Sequence, residues 1–318
     1  YEVFRMSVSF VLFMLLNTSF ILLVSPFFMS LIKKVKAYAQ GRKGPSLLQN
    51  YFDLRKLIQK EVVYSPNSSG IMRITPYLNL AVLLLASLFV PIIFIPEAPE
   101  GIGNIIVFLY LLAIERFFTA LCGLDAGSTF GGMGSSRSMS LSAVVEPTMV
   151  IAFAALAYVL KTVNIHEMFA HTAGFTIPES PTLALISISL FIIIIVETGR
   201  LPVDNPATHL ELTMINEAMI LEQSGKNLAL IELTHAIKQT ILMAVLINIL
   251  APWGIATKLT FAGVVVGCIY FLIKASLLAG LIGLFESSIA KMRLFRLPGF
   301  YMMAFFFSAI TILMEAFA

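Results

Sequence analysis

The sequence predicts an all-α fold, a polytopic membrane protein with about eight transmembrane helices, and three observations carry that prediction. The first is composition: of 318 residues, 58% are hydrophobic and 12% charged, and the mean hydropathy is +0.92. A soluble domain carries roughly 25% charged residues, so the chain holds about half the charge that a water-exposed surface requires. The second is a set of about six or more apolar runs of roughly 18–23 residues, the length that crosses a hydrocarbon layer about 30 Å thick. The third is the one-sided distribution of Lys and Arg between those runs. Together they exclude a soluble enzyme domain, a disordered chain and a disulfide scaffold. In lipid only helices and closed barrels satisfy the backbone, and runs this long argue for helices.

The spans are expected at 7–31, 76–96, 104–122, 141–161, 182–199, 236–254, 262–284 and 298–317 of a single integral membrane domain. The segment after the first span holds Lys33, Lys34, Lys36, Arg42, Lys43, Arg55, Lys56, Lys60 and Arg73. The same side receives Arg137, then Arg200, Lys226 and Lys238, then Lys291, Arg293 and Arg296. Only Arg5, Lys161 and Lys258 fall on the other side, with Arg116 and Lys274 inside spans. This bias places the long polar segments in the cytoplasm, both termini on the non-cytoplasmic side, and the chain in the inner (cytoplasmic) membrane. The net charge of +3 is the same loop bias and points to no nucleic-acid partner. The first apolar run has no small-residue cleavage site before its basic flank.

Metal ligation by this chain is not expected. Cys122 and Cys268 are far apart and form no CxxC pair, and His166 and His171 match no familiar metal spacing. The Gly-rich stretch from Gly123 to Ser136 lacks the GK[ST] ending of a phosphate loop and follows a membrane helix instead of a strand. It is expected as a loop that lets a neighbouring loop or partner subunit approach closely. Residues 40–61 are expected to include an amphipathic helix, lying at the membrane surface or docking a peripheral subunit. No internal repeat is visible, which argues against a secondary transporter.

Ionisable groups inside spans are costly and mark a pathway by default. Here they are Glu115, Arg116, Glu146, Glu197, Lys274 and Glu286. Glu115 and Arg116 are adjacent, so they face different ways and need partners elsewhere; Lys274 is one expected partner for a carboxylate. Pro147 after Glu146 frees a backbone carbonyl beside that acid. The densest signal is the segment 200–235, an acidic cytoplasmic-side loop with Asp204, Glu211, Glu217 and Glu222, preceded by Glu197. Asp204–Asn205 is expected to cap a helix starting at Pro206 and carrying His209, Glu211, Met214 and Glu217. One reading of these acids is structural, as ion pairs that fix helix packing. Their number favours a proton path, because desolvation raises carboxylate pKa values toward neutrality.

In combination, these segments resemble the H-type membrane subunit of respiratory complex I and, more closely, its relatives in the group 4 membrane-bound NiFe-hydrogenases, including formate hydrogenlyase. The matching pieces are Arg42-Lys-Gly-Pro45 with Gln49, Asp53 and Lys56; Gly123-Leu-Asp125-Ala-Gly-Ser128; Gly134 with Arg137; Glu146-Pro147; Glu197-x-Gly-Arg200-Leu-Pro-Val-Asp204; Glu222-x-Ser-Gly225; and Phe285-Glu286 with Arg293. The resemblance covers nearly the whole chain and implies the fold of that complex I subunit. It also implies a non-redox subunit of a multi-subunit oxidoreductase, anchoring the hydrophilic electron-transfer arm and starting a proton path. It assigns Glu146, Glu197, Asp204 and Glu222 to that path or its cavity loop, with Glu211 and Glu217 matching only loosely; Glu115, Lys274 and Glu286 join the expected path as ionisable groups of the spans. Arg42, Asp53, Asp125, Arg137 and Arg200 fall at the docking face. The segment after Asp204 is longer and less acidic than in complex I relatives, and Ser138 follows Arg137 where many relatives carry an acid. That departure favours the hydrogenase type; the alternative is the H-type membrane subunit of a quinone-reducing dehydrogenase of the complex I kind. The implied partners are hydrogenase large and small subunits, iron–sulfur subunits on the cytoplasmic side, antiporter-like membrane subunits and lipid. A NiFe centre and iron–sulfur clusters are expected in those partners and no cofactor in this chain.

Overall fold

The apolar runs form helices because a backbone in hydrocarbon has no water to bond. A computed structural model describes residues 8–95, 103–172, 181–204, 214–255 and 260–317. In chain order the helices are α1 (Val8–Ala39), α2 (Gln49–Ile58), α3 (Gly70–Ser87), α4 (Ile105–Asp125), α5 (Thr129–Leu160) and α6 (Ile165–Thr172). They continue with α7 (Pro181–Glu197), α8 (Asn216–Ile220), α9 (Gly225–Leu250), α10 (Phe261–Ser288) and α11 (Leu297–Phe317). Seven of these are long and apolar enough to cross a membrane, and α7 is an apolar helix of 17 residues. At 1.5 Å per residue α7 extends about 26 Å, close to the thickness of the hydrocarbon layer.

The bundle is assembled around α9, whose residues 236–249 are buried on every side. Helices α1, α3 and α7 pack on it, with α3 against α4, α1 against α10, and α5 against α7 and α11. Polar side chains fix the helix starts: Ser69 accepts from the Ile71 amide (3.2 Å), Asn104 from Ile106 (2.8 Å) and Ser128 from Gly131 (3.1 Å).

Several boundaries depart from the sequence expectation, each for a physical reason. Helix α9 starts at Gly225 instead of 236, so Lys238 sits well inside the helix as a buried residue of the bundle and not at its loop edge, where the charge count places it. Helix α5 starts at Thr129, so most of the Gly-rich stretch after 128 is helical. Its glycines serve helix packing: a Cβ on Gly134 would lie 2.8 Å from Ala218 Cβ and 2.9 Å from the Ile215 carbonyl on the α8 side. The expected close approach is therefore to a neighbouring segment of the same chain. The amphipathic helix is confined to α2, none of whose residues is buried. The helix expected from Pro206, with His209 and Glu211, lies outside the described residues; Glu217 is on α8.

Helix α3 ends at Ser87, short of the expected 96, and the chain continues as buried irregular backbone to 95. Irregular backbone at membrane depth must be bonded by protein, and two side-chain amides supply this. Asn17 Nδ2 donates to the carbonyls of Ser87 (2.8 Å) and Val90 (3.2 Å), and Asn248 Nδ2 to that of Pro91 (2.7 Å). Nearby, His166 on α6 is buried edge-on against Phe13, and burial pushes its pKa down to about 4.

Candidate functional site

The intramembrane ionisable residues converge on one chain of alternating charge. Lys238 on α9 places its ammonium 2.8 Å from Glu115 Oε2 on α4 and 3.0 Å from Glu197 Oε2 at the end of α7. Glu197 Oε1 is bonded to Arg116, whose other guanidinium nitrogen lies 3.2 Å from Glu146 on α5. The order is Glu115, Lys238, Glu197, Arg116, Glu146: acids and bases alternate, with one acid in excess. Adjacent Glu115 and Arg116 do face different ways, as their spacing requires. Glu115, Lys238 and Glu197 are buried and Arg116 is largely covered, whereas the side chain of Glu146 is 50% exposed on the outer face of the bundle. Thr119 extends the chain inward, donating to the Glu115 carboxylate (3.3 Å) and accepting from Asn79 (2.8 Å).

A second ion-pair group lies toward the end of the bundle that carries the basic segments. Glu286 on α10 is held by Arg200 (2.8 Å) and Lys36 (3.2 Å), and Arg200 also bonds Gln239 on α9. Asp204 ties three segments together. Its Oδ2 accepts the amides of Ile215 (3.0 Å) and Asn216 (3.1 Å), so it fixes the start of α8 across the chain, and its Oδ1 meets Lys291 at 2.7 Å. Arg137 supports the same entry to α8 by donating to the Met214 carbonyl (3.0 Å).

Two cavities adjoin these groups. One of about 70 Å³ is lined by Glu115, Arg116, Glu197, Asp204, Lys238 and Tyr301 among others, enough room for a few waters. A larger one of about 470 Å³ is lined by Lys33, Lys36, Arg42, Arg200, Glu217, Glu232 and Glu286 among others. Glu217 is a carboxylic acid with an unusual affinity for its proton: burial, reinforced by Glu232 and Asp204 and opposed by Lys33, raises its pKa to about 7.

The sequence of the chain matches the NADH dehydrogenase family over residues 11–316. The chain belongs to that family. It is 32% identical over 287 residues to hydrogenase-4 component C of Escherichia coli K12, covering 89% of each chain. It is 30% identical over 285 residues to formate hydrogenlyase subunit 4 of the same organism, covering 89% of this chain and 92% of that one. Its fold is that of a chain in the membrane-bound sulfane sulfur reductase, described as an archaeal respiratory membrane complex. The TM-score is 0.81 at 20% identity, over 97% of this chain and 100% of the other.

Within this family member the expected site residues separate into groups. Glu115, Glu146 and Glu197 share the buried charge chain, and Asp204, Glu217, Arg42, Arg200 and Glu286 line the adjoining cavities. Lys274 stands apart: its ammonium donates to the carbonyls of Ala251 and Trp253 and lies 5.2 Å from the Trp253 ring centre. It caps the carbonyl end of α9 and pairs with none of the described carboxylates, contrary to the expectation that it partners one; the cation paired with Glu115 is Lys238. Asp125 is a helix cap, its Oδ2 accepting the amides of Ser69 (3.0 Å) and Met72 (2.9 Å) at the start of α3. Asp53 is exposed on α2, bonded by Gln49 (3.0 Å), and Glu222 is exposed before α9. Glu211 lies outside the described residues. Sequence reasoning missed Glu232, His235 and Lys238 as a set. The available signal was their spacing of three, which puts all three along one side of a helix. Among the described residues no group of three or more His, Cys, Asp or Glu is placed to hold a metal ion.

Proposed function

We propose that this chain is the membrane-anchoring, proton-path subunit of a membrane-bound NiFe-hydrogenase complex of the formate hydrogenlyase type. The observation that carries the reading is the continuous charge chain from the cavity beside Glu197 to the half-exposed Glu146. A carboxylate left open on an intramembrane face is costly in lipid, so Glu146 is suited to meet a neighbouring membrane subunit. The likeness to the two E. coli hydrogenase subunits supports the hydrogenase assignment. The basic end, with its cavity and the exposed α2, then faces the cytoplasm and docks the hydrophilic arm, consistent with the Lys and Arg bias.

In this reading the arm carries the redox chemistry, with the NiFe centre and iron–sulfur clusters in partner subunits, and this chain moves protons. A proton reaching Glu197 cancels its hold on both cations. Lys238 then leans to Glu115 and Arg116 to Glu146, so one protonation shifts charge along the whole chain while every cation keeps a partner. The first test is the metal content of the complex purified through this chain in mild detergent. Nickel stoichiometric with the chain, alongside many irons, is expected. Iron without nickel overturns the hydrogenase assignment in favour of a quinone-reducing dehydrogenase.

A further inference from the structure

We infer that His235 relays protons between the larger cavity and the buried charge chain. The inference rests on the proton-path reading and supplies the link that the ion pairs leave open. Thr198, Gly199, Asp204, Asn216 and His235 line both cavities. Of these, only Asp204 and His235 carry an acid or base side chain. Asp204 is committed to structure: Lys291 and the amides of Ile215 and Asn216 hold its oxygens, and they fix the entry to α8. His235 is half-buried between the two spaces, and its ring makes no hydrogen bond to the described residues.

Its position on α9 adds a second argument. Glu232 lies three residues before it and Lys238 three after, spacings that bring side chains together on a helix surface. Glu232 lines only the larger cavity and Lys238 only the smaller, so His235 is the step between them. On the larger side the charged groups near it are Glu217 on α8, Glu232 on α9, Lys33 and Lys36 on α1, Arg42 and Arg200, and Glu286 on α10. On the smaller side they are Glu115 and Arg116 on α4, Glu197 on α7 and Lys238 on α9. Asp204 borders both. Glu217, whose pKa burial raises to about 7, therefore shares a cavity with His235, and Glu115 shares the other.

The transfer balances without an outside reagent. A carboxylic acid of the larger cavity gives its proton to one imidazole nitrogen and becomes a carboxylate. The imidazolium releases the proton on its other nitrogen to Glu115, which leaves the ring neutral, and tautomer exchange restores its starting form. An imidazole suits this because its two nitrogens can accept and donate on opposite sides. Glu115 then passes the proton to Glu197, the other carboxylate held by Lys238, and Lys238 returns to Glu115 as the charge shift described above begins.

The test is H235A in the intact complex, reconstituted in sealed vesicles, with protons moved per electron as the readout and imidazole added to the medium. Loss of pumping by about a hundredfold or more, the contribution of a positioned proton-transfer group, with partial recovery in imidazole, is expected. H235F, which fills the same space, should lose pumping and show no recovery. If H235A fails to assemble, H235Q carries the same comparison, with loss and no recovery expected. E115Q runs in parallel to separate the two ideas. Normal pumping in the His235 variants with loss in E115Q overturns the relay alone, whereas normal pumping in E115Q as well overturns the proton path. Loss in H235A without any response to imidazole, in a complex that binds its partners normally, marks a structural role and also overturns the relay.

Discussion

Lys238 shows how much rests on single side chains in a low-dielectric interior. It is the only described cation in contact with both Glu115 and Glu197. Removing one partner from a buried ion pair costs about 3–5 kcal/mol, because the remaining charge has lost its compensation. K238M should therefore lower the melting temperature of the purified complex, and E115Q added to it should recover part of the loss; equal melting temperatures for K238M and the parent would refute this. Glu217 makes a prediction of opposite character. Its folded pKa, about 7, lies above the ordinary 4.5, so the folded state binds the proton more tightly than the unfolded one. The stability it contributes is present at low pH and is lost as pH rises from about 4.5 through about 7. E217Q keeps a neutral side chain throughout, so its melting temperature should fall less than that of the parent over this window.

At the scale of elements, the five-residue helix α8 is held in place by side chains outside it. Asp204, Arg137 and the surface of α5 at Gly134 all converge on the start of α8. G134V would push a side chain into Ala218 and the Ile215 carbonyl, an overpacking that costs about 1–3 kcal/mol. The expected result is a complex that still assembles but has a lower melting temperature and altered protease accessibility around α8; an unchanged digest would count against this packing. The irregular segment 88–95 supplies the complementary case. N17L removes the donor from the carbonyls of Ser87 and Val90, and a buried polar group left unsatisfied costs about 1–3 kcal/mol. Its effect should appear as a lower yield of folded protein from the membrane, with N17Q milder than N17L.

For the whole molecule, the Lys and Arg bias predicts orientation, and impermeant thiol labelling checks it. With Cys122 and Cys268 replaced by Ala, K56C should react only from the cytoplasmic side and K161C only from the other; the reverse pattern would invert the topology. The class of fold was legible from the sequence because a bilayer imposes a length and a hydrophobicity on each crossing, and both are local properties. The ends of the spans were less legible. Gly and Ser in α5 and the polar first turns of α9 read as loop by composition, yet burial among neighbouring helices keeps them helical. The same effect hid Lys238, which looks like a cation at the loop edge of its span until α9 is extended back to Gly225. Partner choice was beyond any local pattern. Glu115 meets Lys238 across 123 positions of sequence, while Lys274 serves only the end of α9. The sequence alone determined that this chain crosses the membrane many times, which end is basic, and which acids lie in costly places. Only the tertiary structure decided which of those acids are paired, which one opens on the outer face, and that His235 borders both cavities. The physical reason is that hydropathy is summed along the chain, whereas an ion pair inside a membrane is set by which helices pack together.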